Sequence, residues 1–315
     1  MSCLLTHNAK TYCYTAAAAR NIIFSLVLIY YTLLLVRVYA RVIFSLFMFS
    51  LRSTYKQPRA ISFSADKHTR MTKLKGKAER VFNLMVGIVG EKTKYDYSIP
   101  FDYEGCKLLI RPFIFSEIIM VSGLWEPYVK PILDKEVKNT HTVVDVGANI
   151  GVYAIPLAKR VSKVIAFEPN PKTSEILKKS IALNQIRNIV LIQKAVGDTK
   201  KAILFGLSAI PMQSGVITGP TTDAESSIET ECIDLDTALA TENRVDWLLI
   251  DIEGFEVSAL KGARKILQRF SPKIIIEVFN ENVNLVKKIL TNEGYTITHL
   301  YLAPSSASYY YAVKK

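Results

Sequence analysis

An acidic residue and two glycines follow a short apolar run near the middle of the chain. The run TVVDV (142–146) contains Asp145, and Gly147 and Gly151 come next, with Asn149 between them. Glycines at the turn that leaves a strand let backbone N–H groups approach a ligand at a helix N-terminus. A dinucleotide turn requires G-x-G-x-x-G for its pyrophosphate, and the middle glycine is absent here. Because Asp145 would repel a pyrophosphate and attract an ammonium group, the turn predicts a ligand that carries an ammonium.

A second acid ends the next apolar run. The run KVIAFE (163–168) finishes at Glu168, 17 residues after Gly151. In a doubly wound sheet, an acid at this strand end can accept hydrogen bonds from both hydroxyls of a ribose. S-adenosylmethionine combines an ammonium, a carboxylate and a ribose, so the two acids together predict this cofactor.

Two carboxylates lie at the end of a third apolar run, DWLLIDI (246–252). Asp251 and Glu253 are two residues apart, and Gly254 then turns the chain. Residues two apart on a strand point to the same side, and close carboxylates raise one another's pKa, as suits a base. We predict that Asp251 lies beside the reacting groups and that Glu253 is the base or the ligand of a substrate hydroxyl. The alternative is that one of them only caps the following helix. Glu277, at the end of the run 273–279, is a weaker candidate that could instead hold a loop.

Metal chemistry is not predicted from the cysteines and histidines. They lack the paired spacing of a zinc site or of a disulfide framework. The residues concerned are Cys3, Cys13, Cys106, Cys232, His7, His68, His141 and His299.

The elements that position the predicted site are read from alternating apolar and amphipathic segments. Short, continuous, β-branched runs are typical of parallel strands buried on both faces. The tail 295–314 reads as two further strands, so we predict a doubly wound, mostly parallel, seven-stranded α/β sheet with an antiparallel edge. Pro171 and Gly294 mark a helix start and a helix end. The five central runs are 142–146, 163–168, 189–193, 246–252 and 273–279, and the helices are 151–160, 172–184, 256–270 and 281–293.

Two other segments are assigned less specific structure. Residues 71–140 form a preamble, with a helical pattern at 73–90, a hairpin at 95–113 and one or two helices at 116–137. The polar segment 205–232 lies before the fourth strand, where it could choose the substrate or simply connect strands. The predicted catalytic domain then spans 141–315.

Six motifs give the chain a family resemblance. It resembles the FkbM-type S-adenosylmethionine-dependent methyltransferases over about 116–277. The motifs are VVDVGANIG (143–151), VIAFEPNP (164–171), AVGD (195–198), LDTAL (235–239), LLIDIEGFEVSALKGA (248–263) and IIIEV (274–278). The resemblance implies a Rossmann-like class I methyltransferase sheet and usually methylation of a hydroxyl oxygen. It also implies cofactor contacts at Asp145, Gly147, Asn149, Gly151 and Glu168.

Two residues depart from the family pattern. Leu249 stands where the family often has a lysine, two residues before Asp251, so any role of that lysine is absent. Pro156 falls inside the first crossover helix, where we expect a lost hydrogen bond and a kink.

The resemblance and the residues favour an O-methyltransferase acting on a sugar, glycan or lipid-linked hydroxyl. A nicotinamide-dependent oxidoreductase shares the fold, but its glycine order differs. A non-catalytic scaffold could keep a cofactor fold, although the intact Asp145, Glu168 and Asp251 favour an enzyme. The fold does not identify the acceptor.

The first 70 residues differ from the rest in charge and hydropathy. They hold nine Lys/Arg and one acid, and so carry +8 of the formal net charge of +12. Because the remainder is only mildly basic, we predict no nucleic-acid partner. The run 22–36 is uncharged but spans only about 22 Å as a helix, so we predict one anchor helix within 21–51 that continues past Arg37 and Arg41.

Positive residues are concentrated after this predicted anchor, which places the catalytic part in the cytoplasm and the protein at the membrane. Two alternatives remain. The leader could be a cleaved signal peptide, or it could be absent from a natural protein that starts at Met71, in which case the protein is cytoplasmic.

Overall fold

The computed structural model describes residues 98–314, apart from 112–113, 115–116, 118–119, 122–124, 199, 208–214, 217–225 and 303–306. The predicted leader 1–70, its anchor helix within 21–51 and the helical pattern at 73–90 lie outside the described residues. Within the described ranges, no helix is both long enough and apolar enough to cross a membrane.

The elements are numbered in chain order. The strands are β1 (Ile99–Tyr103), β2 (Cys106–Ile110), β3 (Thr142–Val146), β4 (Lys163–Phe167), β5 (Ile189–Ile192), β6 (Ala195–Val196), β7 (Lys201–Leu207), β8 (Gly215–Val216), β9 (Ser226–Ile233), β10 (Trp247–Ile250), β11 (Lys273–Phe279), β12 (Tyr295–Leu302) and β13 (Ala307–Lys314). The helices are α1 (Lys130–Glu136), α2 (Ala154–Ala158), α3 (Pro171–Leu183), α4 (Leu235–Ala238), α5 (Glu256–Lys261), α6 (Arg264–Phe270) and α7 (Val283–Asn292).

A seven-stranded sheet in the order β12-β13-β11-β10-β3-β4-β5 forms the centre of the domain. Neighbours from β11 to β5 are parallel, and β13 is antiparallel to both β11 and β12. Successive residues of β3 face opposite apolar clusters, since Val143 packs in one and Val144 and Val146 in the other. This burial on both faces explains the continuous apolar runs, and the predicted mostly parallel seven-stranded sheet is confirmed.

Helix α3 begins where its sequence signals place it. The Asn170 side chain accepts hydrogen bonds from the backbone N–H groups of Lys172 and Thr173, and Pro171 is the first helical residue. Such a cap satisfies N–H groups that have no partner inside the helix. The β1–β2 hairpin packs beside this helix, with the Leu109 N–H 2.9 Å from the Ser180 hydroxyl. Because β1 pairs antiparallel with β2 across Glu104 and Gly105, the hairpin prediction is confirmed.

The prediction of one helix over 256–270 is wrong, because α5 and α6 are separate helices. Gly262 lies at the break, and a Cβ there would stand 2.0 Å from the Gly197 carbonyl oxygen. The Gly262 carbonyl also accepts a hydrogen bond from the Asp236 N–H at 2.8 Å. These two contacts to neighbouring segments interrupt the helix, and hydrophobic periodicity does not reveal them.

The first crossover helix is shorter than predicted. Instead of 151–160, α2 spans five residues, and Pro156 is its third. Pro156 thus lies in the first turn, where proline is tolerated because backbone N–H groups there lack partners inside the helix; the kink stays a prediction.

The described parts of the segment 205–232 form strands. A second sheet has the order β6-β9-β7-β8, in which β7 pairs antiparallel with β9 from Lys201 to Leu207. Both readings of this segment stay open, because a strand connection and a substrate loop are compatible with this sheet.

Candidate active site

The predicted site residues, apart from Gly151, lie at the carboxyl ends of the parallel strands and line two adjoining cavities. The larger, called the outer cavity, is lined by Glu168 and Glu253, and the smaller, called the inner cavity, is lined by Asp145. Residues that line both cavities include Gly147, Asn149, Asp251 and Glu277. The two cavities therefore form one continuous site at the position where doubly wound sheets bind ligands.

The glycine turn fits β3 closely against the end of β10. Gly147 has a φ of +87°, and a Cβ there would lie 1.8 Å from the backbone oxygen of Asp251. Its N–H and that of Ala148 both bond to the Phe167 carbonyl, at 3.0 and 2.9 Å. These N–H groups therefore serve the fold, so the expected free N–H groups for a ligand are not found at these two residues.

Gly151 also serves packing. It has a φ of +94°, and a Cβ there would stand 2.5 Å from a methyl carbon of Leu177. Gly151 does not line either cavity, whereas Asn149 lines both. The positive φ and the close helix explain why glycine suits this position.

Asp145 is buried at the inner cavity with an unused hydrogen-bonding oxygen. It is 3% exposed, and its Oδ2 accepts no hydrogen bond from any described residue. Burial and the charge of Glu168 raise the pKa of the carboxyl to about 7, while the Ala154 backbone N–H opposes the rise. Asn149 Oδ1 is likewise without a described partner. Two orphaned oxygens beside one turn fit the ammonium group of S-adenosylmethionine.

The Glu168 carboxylate accepts two backbone hydrogen bonds, one from each of two turns beside the outer cavity. Its Oε2 accepts from the Asn149 N–H and its Oε1 from the Asn170 N–H, each at 2.9 Å. Burial raises its pKa to about 7, and these hydrogen bonds and Arg111 oppose the rise. Since each carboxylate oxygen has a second lone pair, Glu168 can still accept hydrogen bonds from ribose hydroxyls.

Three carboxylates lie close together near the carboxyl ends of β10 and β11. Asp251, Glu253 and Glu277 each offer an oxygen, and these oxygens lie within 4.8 Å of one another. Burial and the neighbouring Glu277 raise the pKa of Asp251 well above its usual range and that of Glu253 to about 9. Such a group can share protons or, with its oxygen ligands, hold a divalent cation.

The capping alternative for this pair is wrong. The N-terminus of α5 receives no side-chain cap, and the Gly254 N–H donates instead to Glu256. Glu253 has a φ of +46°, a strained conformation for a residue with a side chain. Asp251 and Glu253 therefore line the cavity rather than the helix end.

Sequence reasoning missed three residues of the inner cavity. Glu126 is buried, and it accepts hydrogen bonds from the hydroxyls of Tyr153 and Tyr309. Burial raises the pKa of Glu126 to about 7, and the two tyrosine hydrogen bonds oppose the rise. These residues are far apart in sequence and share no motif. Only the pairing of Tyr309 with Glu277 across β13 and β11 brings the last of them to the site.

The described lining of the two cavities is rich in acidic residues. Six carboxylates line the two cavities, and Lys194 is the basic residue among the described lining. Lys194 is itself paired with Glu231 at 2.5 Å. The site therefore favours a cationic ligand. The six are Glu126, Asp145, Glu168, Asp251, Glu253 and Glu277.

Comparisons with known proteins find similarity to methyltransferases. Residues 145–297 match the family model of the methyltransferase FkbM domain. A probable ribosomal RNA small subunit methyltransferase A of Methanosphaera stadtmanae is 36% identical over 58 residues, 18% of this chain and 21% of that protein. A tRNA (guanine(37)-N(1))-methyltransferase of Phytophthora infestans is 33% identical over 112 residues, 32% of this chain and 27% of that protein. The matched regions thus span well under half of these two relatives.

A solved structure of a methyltransferase FkbM from Methylobacillus flagellatus KT is also similar. It shares 20% identity, and the match covers 56% of this chain and 44% of that one with a TM-score of 0.42.

Proposed function

We propose that the protein moves a methyl group from S-adenosylmethionine to a hydroxyl oxygen of a sugar, glycan or lipid-linked acceptor, because residues 145–297 match the family model of the methyltransferase FkbM domain. The observation that carries this proposal is that Asp145, Glu168 and Asp251 line two cavities that share lining residues, Asp251 among them. These acids match, in order, the ammonium, the ribose and the reacting end of the cofactor.

Each residue has a separate task in this proposal. When bound, S-adenosylmethionine supplies an electrophilic methyl group on a positively charged sulfur. Asp145 and Asn149 hold the ammonium through their unpartnered oxygens, and Glu168 holds the ribose hydroxyls. Asp251 lies beside the acceptor, whose hydroxyl is bound or deprotonated by Glu253. In-line transfer depends on this positioning and on removal of the hydroxyl proton.

The charge of the cavity supports a hydroxyl acceptor over a nucleic acid. Among the described lining residues the basic one, Lys194, is already paired with Glu231, so the lining offers little attraction to the phosphates of a polyanion. The two curated relatives carry names of RNA methyltransferases, so RNA is the second candidate acceptor.

Cofactor choice is tested by titration calorimetry of the full chain with S-adenosylmethionine and with NAD. We expect binding of S-adenosylmethionine alone. Binding of NAD instead would favour an oxidoreductase, and binding of neither would favour a scaffold.

Acceptor class is tested with methyl-labelled S-adenosylmethionine. The labelled cofactor and the protein are incubated with lipid, glycan, small-molecule and RNA fractions of the source cells. We expect the label in an alkali-stable methyl ether in the lipid, glycan or small-molecule fraction. Label in RNA alone would contradict the hydroxyl proposal while keeping the methyltransferase.

The predicted membrane association forms part of the same proposal. An anchor within 21–51 would hold the catalytic domain at the cytoplasmic face, because the basic residues after it stay on that side. A lipid-linked acceptor would then lie within reach of the site.

A further inference from the structure

Glu126 and Tyr309 form a buried hydrogen-bonded pair between the two cavities. The Tyr309 hydroxyl donates to Glu126 Oε1 at 2.6 Å, and both side chains are buried, at 7% exposure each. Tyr309 lines both cavities, whereas Glu126 lines the inner one. Tyr309 therefore links Glu126 to the outer cavity, which Glu253 also lines.

The fold keeps the Tyr309 ring in one place. Tyr309 pairs with Glu277 across the sheet, so its strand position is tied to the carboxylate cluster. The Tyr128 ring packs against it at 5.0 Å between centroids, and Tyr128 in turn stacks on Tyr301 at 4.7 Å. A ring held by a sheet and by an aromatic neighbour loses little entropy when it binds a ligand.

Glu126 is also held in a costly conformation. Its φ is +40°, which side chains other than glycine, asparagine and aspartate seldom adopt. Such strain is concentrated at functional sites, where the surrounding structure imposes it. Here two tyrosine hydroxyls, one from Tyr153 beside α2 and one from Tyr309 on β13, fix the carboxylate.

The groups that face Glu126 determine when it can accept a proton. Burial, Glu277 and Asp145 favour its neutral form, and the hydroxyls of Tyr153 and Tyr309 favour its charged form. Its pKa is about 7, below the value of about 9 that Glu253 reaches without such donors. Glu126 therefore gives up its proton at lower pH than Glu253, because two hydroxyls donate to it. Asp251, Glu253, Tyr128 and Tyr103 are the other titratable groups whose charges act on this network.

From this geometry we infer that Tyr309 and Glu126 form a proton-transfer pair that receives the proton of the acceptor hydroxyl. The inference rests on the proposed function. It leaves Glu253 as the ligand that orients the acceptor rather than the base. Tyr309 would touch the acceptor, and Glu126 would act through Tyr309.

The step balances without another reactant. The acceptor hydroxyl gives its proton to the Tyr309 oxygen as the Tyr309 proton passes to Glu126 Oε1. The acceptor oxygen bonds to the methyl carbon as the carbon–sulfur bond breaks, and that electron pair stays on sulfur. Burial and the nearby Glu126 raise the pKa of Tyr309 well above its usual range, so the transfer is concerted rather than through a free tyrosinate. Glu126 finishes protonated and returns its proton to solvent before the next turnover.

The two tyrosines allow a matched test with labelled methyl transfer by the full chain. Tyr309→Phe and Tyr153→Phe each remove one hydroxyl from the same carboxylate, but only Tyr309 lines the outer cavity. We expect Tyr309→Phe to lower the transfer rate on the order of 100-fold, the usual size of a lost acid–base contribution. Tyr153→Phe should lower the transfer rate by no more than about 10-fold. The dissociation constant for S-adenosylmethionine should change by less than about threefold in both, which also verifies that they fold.

The pH profile of Glu126→Gln supplies a second readout, which would not change if Glu126 had only a structural role. With saturating S-adenosylmethionine, which favours the ionised forms of Asp145 and Glu168, the wild-type rate should rise through about pH 7 as Glu126 loses its proton, and this rise should be absent from the Glu126→Gln profile. Equal losses in the two tyrosine variants, or a wild-type pH profile in Glu126→Gln, would overturn the inference. If wild type binds no S-adenosylmethionine or transfers no label, the proposed function fails instead, and the inference loses its premise.

Discussion

The charged form of Asp145 is unfavourable in the folded protein when no ligand is bound. Its carboxyl is buried, one oxygen has no described partner, and Glu168 repels its charged form. Without a ligand, a charge in this position destabilises the folded protein. With an ammonium present, the same charge contributes a charge-assisted hydrogen bond. Binding strength is therefore obtained at the expense of stability in the free protein.

Asp145→Asn should separate these two effects. We expect weaker binding of S-adenosylmethionine, by about 10-fold or more, because a hydrogen bond to a charged group contributes about 1.5–3 kcal/mol. The free variant should be at least as stable as wild type at pH 8, since a buried charge is removed. Calorimetric titration and thermal unfolding measure the two results.

Asp102→Asn is the matched control, because the side chain of Asp102 is 79% exposed on the β1–β2 hairpin. It should change neither quantity. Unchanged cofactor binding in Asp145→Asn would remove Asp145 from the ammonium site.

Among the single residues of the site, the sequence predicts those that lie directly at the ends of buried strands. Asp145, Glu168 and Asp251 are adjacent to apolar runs, and parallel strands bring their carboxyl ends to one edge. Glu126 and Tyr309 are not predictable in this way. They are 183 residues apart, and only the antiparallel insertion of β13 beside β11 brings them together.

The turn between β3 and α2 is the element on which the site depends most. It carries Gly147 at a φ of +87° against the backbone of Asp251, so the turn also sets the position of the carboxylate cluster. An acid-glycine turn can be recognised in sequence, but its closest neighbour cannot. The same limit explains the break at Gly262, where contact with Gly197 from another segment ends α5.

Gly147→Ala should damage both folding and the site. A Cβ 1.8 Å from the Asp251 oxygen forces β3 and the end of β10 apart, and the positive φ adds about 1–2 kcal/mol. We expect a loss of several kcal/mol in the free energy of unfolding and loss of cofactor binding. Urea unfolding and calorimetry provide the measurements.

Gly105→Ala is a control with the same kind of backbone. Gly105 has a φ of +72°, but nothing lies within 4 Å of its Cβ position. Only the conformational cost should appear, about 1–2 kcal/mol, with binding unchanged. Similar losses in the two variants would mean that the close approach to Asp251 does not matter.

Over the whole molecule, the raised carboxyl pKa values link stability to pH. Those of Glu126, Asp145 and Glu168 are about 7, whereas an unfolded chain has values near 4. Between these values the folded state holds more protons than the unfolded state, so the free energy of unfolding falls as pH rises. The lowered pKa values of Asp134 and Glu136 act in the opposite direction, but at lower pH.

We therefore expect a higher Tm at pH 6 than at pH 8. A difference of at least about 3 °C corresponds to about 1 kcal/mol for a chain of this size. Saturating S-adenosylmethionine should reduce the difference, because its positive charge favours the ionised carboxylates. Scanning calorimetry at the two pH values, with and without cofactor, tests this, and a higher Tm at pH 8 would contradict it. His141, whose pKa burial lowers, acts against the trend only at the acidic end.

The position of β13 also governs when the site can exist. This strand lies between β11 and β12 in the sheet, yet it follows both along the chain. During synthesis, β12 leaves the ribosome before its described sheet neighbour has been made. Tyr309 arrives with that late strand and completes the wall of both cavities. A nascent chain thus holds every predicted carboxylate of the site and still lacks the strand that closes it, so the site assembles only once β13 has inserted.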